Sequence, residues 1–370
     1  MMKTKVVEFI GRIQDGGAET LVKDYALMLD KEKFDVTILC EDYKKDSVNY
    51  KILKENNVKI ITMYEWSFFI NKVLARIFGK RYVAILFRKA IEKLKPDVLH
   101  AHLEVLEILY YARRSLDGTR LLFTCHNPPE MLIGDKRPPE RDACRYLLDR
   151  NDLQIIALHE QMAKEIDEMF GIDNTRVIRN GVSFDRFRKI DRTKEDIRKD
   201  LNIPLDAYVV GQVGRFAYQK NPEFTVDVFY ELLKKNENSY LLLIGRGNGE
   251  KDLRKQVSDL GIDKHVRFLI SREDIPELLK AMDVFILPSR FEGLGIVLIE
   301  AQVSGLPCVV SENIPHEAYQ SKDIVCLSLN DPKEKWVNAL LNPIGNIDSY
   351  GDIDHYDMKK EIKNLEALYL

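Results

Sequence analysis

Residues 284–303 read VFILPSRFEGLGIVLIEAQV. The apolar run VFILPS ends at Ser289, a loop with Gly293 and Gly295 follows, and the helix-like run IVLIEAQV opens directly behind it. A strand without polar alternation is buried on both faces, and one that passes through a short loop into a helix is the repeating step of a covered parallel sheet. The same step recurs on both sides. Towards the C-terminus it continues in PCVVS (307–311) and IVCLSL (324–329), and towards the N-terminus in VRFLI (266–270), YLLLIG (240–245) and YVVGQVG (208–214). A second set lies further upstream: VVEFI (6–10), DVTILC (35–40), KIITM (59–63), DVLHAH (97–102), RLLFTCH (120–126), LQIIAL (153–158) and RVIRN (176–180). Helical patterns separate most of them, among them 17–30, 222–236, 249–260 and 275–282. Two such sets in one chain predict an α/β protein of two doubly wound, Rossmann-like domains.

The expected boundary falls near 181–200, where NGVSFDRF gives way to the charged run RKIDRTKEDIRKDLNIP. This gives an N-terminal domain over 1–183 and a C-terminal domain over 184–351. Residues 352–370, with apolar Met358, Ile362, Leu365, Leu368 and Leu370, read as a helix packed back on the first domain. The length of 370 residues suits two domains, each large enough for its own core. A net charge of −3 offers no general attraction to nucleic acid, and no such partner is expected. Five cysteines, odd in number and without CxxC spacing, argue against a disulfide framework or zinc ribbon and for a reducing cytoplasm. No apolar stretch is long enough to predict a transmembrane helix.

In open α/β sheets ligands bind beyond the carboxyl ends of the strands, and the unusual residues of this chain collect there. Gly16-Gly17-Ala18-Glu19 follows the first strand and opens a helix. Glycines allow close backbone approach, and a helix start offers free N–H groups to an anion; a plain tight turn is the alternative. Gly214-Arg215 and Lys220, in VGRFAYQKNPEF, put two cations between a buried strand and a helix start. There they could neutralise a diphosphate without a metal, or be ordinary solvated cations. Glu292 lies in the glycine loop, and Glu300 about one turn into the apolar helix, an odd place for a carboxylate without a partner. Two carboxylates beside free N–H groups suit a polyhydroxyl ligand carrying phosphate. His126 ends a strand ahead of Asn127-Pro128-Pro129, where an imidazole can exchange a proton near neutral pH. The other histidines read as structural, His102 being the least settled of them.

Two features are set aside. Gly245-Arg246-Gly247 ends a strand, but Glu250 stands where a dinucleotide fingerprint has its third glycine. Asp352-Ile353-Asp354 has the DxD form of some metal-dependent transferases, yet it precedes the terminal helix and reads as a turn and N-cap. No cluster has metal-ligand spacing, so no metal and no cofactor is expected. The stretch 67–95 carries eight Lys or Arg against one Glu, with Lys72, Arg76 and Lys80 at helical spacing beside Phe68, Phe69, Leu74, Ile77 and Phe78. It reads either as a helix lying on an anionic membrane surface or as a core helix with a solvated basic face.

Together these residues resemble the GT4 glycosyltransferases, retaining enzymes of the GT-B fold, over nearly the whole chain. FEGLGIVLIEA (291–301), from Glu292 to Glu300, looks like the family's E-x7-E motif. GRFAYQK (214–220) looks like its Arg/Lys phosphate pair, and GGAE and VIRNGV add weight. The pattern is similar to that of bacterial capsule, exopolysaccharide and lipopolysaccharide transferases. The resemblance implies two Rossmann-like domains facing across a cleft. It also implies a nucleotide-sugar donor, with UDP the first choice, a glycan or lipid-linked acceptor, and cytoplasmic chemistry, with peripheral attachment at the inner membrane face as a further expectation. Arg215 and Lys220 would hold the donor diphosphate. Glu292 would bond hydroxyls of the transferred sugar, helped by amides around Gly293, Leu294 and Gly295. Glu300 would bind the ribose, and Gly17 would approach the donor from the other domain. His126 would lie at the sugar on the acceptor side. Backbone near Leu269–Arg272 and the loop at Gly245 and Gly247 would meet the base. The rival readings are a nucleotide-sugar 2-epimerase of the same architecture and a catalytically silent partner subunit.

Overall fold

The computed structural model describes residues 3–64, 68–270, 272–347 and 350–370, apart from the side chains of Phe68 and Phe69. The chain forms two compact units, one of Met1–Gly181 with Lys359–Leu370 and the other of Val182–Met358.

The first unit is built on a parallel sheet of β1 (Thr4–Ile13), β2 (Phe34–Tyr43), β3 (Lys59–Thr62), β4 (Val98–His102), β5 (Arg120–Thr124), β6 (Gln154–Ala157) and β7 (Arg176–Val177). Their spatial order is β3-β2-β1-β4-β5-β6-β7. The second unit holds β8 (Tyr208–Val213), β9 (Ser239–Ile244), β10 (Val266–Leu269), β11 (Val284–Leu287), β12 (Cys308–Ser311) and β13 (Ile324–Leu327). Their order is β10-β9-β8-β11-β12-β13, again all parallel. Both orders run outward from the first strand and then jump to its other side. That makes β1/β4 and β8/β11 the topological switch points, where the loops at the strand ends diverge and leave a crevice.

Every predicted strand is present, but β1 does not stop at Gly11. It runs on to Ile13 because β2 accompanies it, with Arg12 opposite Asp42 and Ile13 opposite Tyr43. An Arg12–Asp42 ion pair of 2.9 Å holds that extension. The apolar strands are sealed by helices, as the absence of alternation requires. In the second unit Trp336 is fully buried, meets Phe224 edge-on at 5.1 Å and donates its indole N–H to the Ser328 carbonyl. In the first unit Ile10, Val22, Ile38 and Leu53 join one cluster over β1 and β2.

The chain passes between the units two residues before the expected 183, and it returns later than 352. Val182 exchanges backbone bonds with Tyr356 and Met358, which ties residues up to 358 to the second unit. The terminal segment is a 3-10 turn, Ile353–Tyr356, followed by the helix Met358–Tyr369. Asp352 caps the turn, accepting from the Asp354 N–H at 3.0 Å, which accounts for the DxD sequence locally. The last helix packs on the first unit: Glu366 accepts from the Asp30 N–H, and Arg120 donates to the Leu368 carbonyl.

The basic stretch departs further from expectation. Phe68–Leu94 is helical but broken at Gly79 (φ 61°, ψ −152°), so Lys80 does not continue the face of Lys72 and Arg76. Lys72 pairs with Asp42 at 3.3 Å and Lys80 with the buried Glu140 at 3.1 Å. Ser67 and the side chains of Phe68 and Phe69 lie outside the described residues. Ile70, Val73, Ile77 and Phe78 are exposed, an apolar stripe beside exposed Arg76. No helix of the described residues is long and apolar enough to cross a membrane.

Candidate active-site residues

In the second unit the switch point gathers most of the predicted donor-side residues. β8 ends at Val213, and the loop from Gly214 to Lys220 folds over its carboxyl end. Asn221, left-handed at φ 53°, closes that loop. Its amide donates to the Pro288 carbonyl and accepts from Arg290, which clips the loop to the end of β11. Gln212, from β8 itself, donates to the Lys220 carbonyl at 2.8 Å. The cation is thus held from three directions by backbone and amide contacts, which fixes where its side chain can reach.

It reaches Glu292. Lys220 Nζ lies 2.6 Å from Glu292 Oε1, and both side chains are largely buried. The same oxygen accepts from Ser289 Oγ at 2.6 Å, while Gln219 donates weakly to the other at 3.4 Å. A carboxylate with this little exposure requires such partners. Its loop is shaped by Gly295, whose φ of 82° a side chain would resist, and by Leu294, whose side chain is buried. The helix Ile296–Val303 then begins, and Glu300 is half-buried in its second turn. Arg215 is exposed and makes a long 3.4 Å contact to Gln219.

The neighbouring loop after β9 is pressed against this one. A Cβ on Gly245 would stand 1.9 Å from the Gly214 carbonyl, and one on Gly247 would stand 2.2 Å from that of Phe216. Only glycine permits this approach. The sheet ladder continues here beyond the strands, through Gly214 N–H to the Ile244 carbonyl and Phe216 N–H to that of Arg246. Leu269 spends its carbonyl on the Gly245 N–H. Arg272 is forked onto Asp274, whose hydrogen bonds push the guanidinium further into its charged form. Ser271, within the expected Leu269–Arg272 base-contact segment, lies outside the described residues.

The first unit holds the other two predicted residues. Gly17 opens the helix Gly17–Met28, with Gly16 as its N-cap. Glu19 folds back over that turn, its carboxylate where a Cβ on Gly16 would fall, at 2.4 Å. A carboxylate over the first turn complements the helix dipole from within the chain. The prolines after His126 start two helices, Pro129–Leu132 and Pro138–Asn151, as suits a residue that lacks an N–H.

His126 belongs to a buried polar network that sequence reasoning did not assemble. Glu8 on β1 stands opposite His100 on β4, and Ile10 opposite His102, so Glu8 and both imidazoles share one face of the sheet. His102 Nε2 is 2.8 Å from Glu8 Oε2, and its Nδ1 is 2.9 Å from His126 Nε2. Tyr369, from the last helix, donates to Glu8 Oε1 at 2.7 Å. His100 lies between Tyr369 OH and Thr124 Oγ1, at 2.6 and 2.7 Å. Burial pushes the Glu8 carboxyl up to about 8, with the Tyr369 bond opposing it. Burial pushes His102 down to about 3, and His100 and His126 well below the ordinary imidazole range. An acid and two imidazoles this close could gather around a cation. Here both ring nitrogens of His100 and of His102 are already committed to hydrogen bonds. Glu8 was hidden in the apolar run VVEFI. The cue lay in the alternation of DVLHAH, which puts two histidines on one face of a buried strand.

Comparisons with known proteins agree with this architecture. The model of Glycosyltransferase Family 4 matches residues 15–186, and that of Glycosyl transferases group 1 matches residues 193–339. The UDP-Gal:alpha-D-GlcNAc-diphosphoundecaprenol alpha-1,3-galactosyltransferase of Escherichia coli is 25% identical over 93% of this chain and 90% of its own length. The D-inositol 3-phosphate glycosyltransferase of Corynebacterium jeikeium is 29% identical over 67% of this chain and 64% of its own. Among solved structures, Anabaena Alr3699/HepE in complex with UDP-glucose superposes with a TM-score of 0.76, covering 98% of each chain at 17% identity. Two parallel Rossmann-like sheets of this order, together with these matches, define the GT-B class. The chain is a glycosyltransferase, its first unit matched by family 4 and its second by group 1.

Proposed function

We propose that the protein is a metal-independent, retaining glycosyltransferase. It moves a hexose or N-acetylhexosamine from a nucleotide sugar, UDP-linked in the first instance, to a glycan or lipid-linked acceptor in cell-surface polysaccharide synthesis. The observation that carries this reading is the Lys220–Glu292–Ser289 cluster beside exposed Arg215 at the β8/β11 switch point. Arg215 and Lys220 stabilise the departing diphosphate electrostatically, the work a divalent cation does elsewhere. An arriving diphosphate competes with Glu292 for Lys220, and a Glu292 so released is free to accept from sugar hydroxyls. The amides of Gly293, Leu294 and Gly295 assist, Glu300 holds the ribose, and the loops at Gly214, Gly245 and Gly247 with Leu269 and Arg272 enclose the base. Gly17 and His126 serve the donor and the sugar from the first unit. As the bond from the anomeric carbon to the diphosphate breaks, the acceptor hydroxyl forms the new bond on the same face. Its proton passes to a donor phosphate oxygen.

The name of the Escherichia coli relative, a UDP-Gal:alpha-D-GlcNAc-diphosphoundecaprenol galactosyltransferase, supports the donor and acceptor classes. The test is thermal stabilisation across UDP, GDP, ADP and CMP and their sugars, each with EDTA and with Mn2+. A shift confined to one nucleotide, indifferent to EDTA and lost in Glu300→Ala, is expected. A shift that requires Mn2+ would sink the metal-free reading.

The apolar stripe Ile70, Val73, Ile77 and Phe78 beside Arg76 favours a second element of this reading, attachment to an anionic membrane surface where a lipid-linked acceptor resides. Since Lys72 and Lys80 are engaged with Asp42 and Glu140, the apolar side chains carry most of the binding. Ile77→Ser with Phe78→Ser should abolish sedimentation with phosphatidylglycerol vesicles at low salt. Unchanged binding would remove the stripe from the account.

A further inference from the structure

We propose that Glu8, His102 and His126 form a proton relay in which the ionisation of Glu8 decides whether His126 Nδ1 accepts or donates a hydrogen bond. The relay deepens the reading that His126 serves the sugar, and it assigns Glu8 and His102 as positioning residues behind it.

The argument is one of donors and acceptors. Tyr369 donates its single hydroxyl proton to Glu8 Oε1. His100 Nδ1 must therefore carry the proton between it and Tyr369 OH, and His100 Nε2 accepts from Thr124. Glu8 Oε2 faces His102 Nε2. When Glu8 is ionised, His102 Nε2 donates to it. His102 Nδ1 is then a lone pair and accepts from His126 Nε2–H. A neutral His126 with its proton on Nε2 presents a lone pair at Nδ1. When Glu8 is protonated on Oε2, it donates to His102 Nε2 instead. His102 then donates from Nδ1 to His126 Nε2, and His126 carries its proton on Nδ1. The two states differ by one proton, and every imidazole stays neutral in both. In the uptake direction a proton bonds to His126 Nδ1, the Nε2 proton of His126 moves to His102 Nδ1, and that of His102 Nε2 moves to Glu8 Oε2.

Three observations favour this over a static core network. His126 Nδ1 is a buried ring nitrogen with no partner, at the outer end of the chain of bonds. Burial disfavours imidazolium at each histidine, so charge has nowhere to rest except on the carboxylate. Glu8 itself is raised into the range where it changes state near neutral pH. The groups facing the relay are His100 from β4, Tyr25 from the helix Gly17–Met28, and Tyr369 from the last helix. Asp24 and Glu361 act on Tyr25 from further out. Sugar hydroxyls donate readily, so the state with ionised Glu8 is assigned as the competent one.

Glu8→Gln keeps the shape. Its carbonyl accepts from Tyr369, which turns its NH2 towards His102 and locks the donating state. Selective 15N labelling of histidine separates the two states, because a ring nitrogen with a lone pair and one bearing a proton resonate far apart. In the wild type His126 Nδ1 should change from protonated to unprotonated as pH rises through about 8. In Glu8→Gln it should stay protonated throughout. The rising limb of kcat/KM across the same interval should be absent from the variant, with turnover at least about tenfold lower at high pH, the scale of a general acid–base or orienting contact. Tyr369→Phe is the second variant, and it leaves the relay itself intact. It removes a bond that favours ionised Glu8, so both the resonance change and the limb should move to higher pH. A His126 tautomer that is the same in the wild type and Glu8→Gln overturns the relay. So does a stoichiometric divalent metal found in the purified protein and displaced by Glu8→Gln. If the tautomer responds as expected but His126→Ala leaves turnover unchanged, the relay stands and the sugar-side role of His126 falls.

Discussion

Lys220→Met separates what the Lys220–Glu292 pair does for the fold from what it does for the reaction. Methionine keeps most of the stem and removes the charge. It leaves the Glu292 carboxylate, 6% exposed, with Ser289 at 2.6 Å and a distant Gln219 as its remaining partners. Breaking one side of a buried pair costs about 3–5 kcal/mol, whereas replacing both sides costs far less. Lys220 retains 16% exposure, and water can reach part of the site, so the lower figure of about 3 kcal/mol applies. For a unit the size of Val182–Met358 that corresponds to a fall in melting temperature of about 6–12 °C. Lys220→Met with Glu292→Gln should regain most of it. The coupling energy between the two sites should exceed about 1.5 kcal/mol, as expected of residues in direct contact. The assay is calorimetry of both single variants and the double, alongside turnover with a nucleotide-sugar donor. Stability should return in the double variant and activity should not. A single variant melting within about 1 °C of the wild type would mean that the carboxylate is neutral or hydrated there, and the reasoning from burial would fail.

Arg215→Ala should lower turnover by about two orders of magnitude or more, the scale of losing one preorganised charge-stabilising group, with an unchanged melting temperature since the side chain is exposed. Turnover within about threefold of wild type would remove Arg215 from the mechanism. Gly245→Ala sets a methyl 1.9 Å from the Gly214 carbonyl, so the β8 and β9 loops must part. A loss of about 2 kcal/mol or more together with weaker nucleotide binding is expected, and wild-type stability would contradict the close approach. The pH dependence of stability has a definite sign. Glu8 titrates near 8 when folded against 4.5 ordinarily, so the native state holds the extra proton and stability falls as pH rises between them. The lowered histidines act the opposite way, an effect that fades out about one unit above their ordinary 6.5. Between pH 6.5 and 8 Glu8 is worth about 2 kcal/mol at 1.36 kcal/mol per unit, partly offset near 6.5, where the unfolded histidines are still half protonated. Urea titrations should show the wild type losing stability relative to Glu8→Gln over this interval, and parallel curves for the two would refute it.

What the sequence disclosed follows from the range of the forces involved. The strands were legible because burial on both faces leaves an uninterrupted β-branched run, a property of one segment that needs no partner to be seen. Gly245 and Gly295 could be flagged as unusual, yet the carbonyl that crowds one of them lies thirty-one residues away. The Lys220–Glu292 contact joins two motifs singled out separately, each as a ligand contact; that they neutralise one another without a ligand depends on strands β8 and β11 being neighbours, which is topology and not pattern. The helical spacing of Lys72, Arg76 and Lys80 implies one continuous basic face, and a positive φ at Gly79 divides it in two. The Glu8–His102–His126 chain is least accessible, since it depends on the register of three parallel strands and on Tyr369 from the other end of the sequence. A buried acid inside an apolar strand and two histidines on one face of another are its local signs. The sequence shows that such a residue must be satisfied; only the register shows by what. Glu300 in IVLIEAQV and Glu8 in VVEFI are the same anomaly in two units. A glycine loop beside Glu300 marks it as a ligand candidate, whereas the partners of Glu8 arrive from β4 and from the final helix.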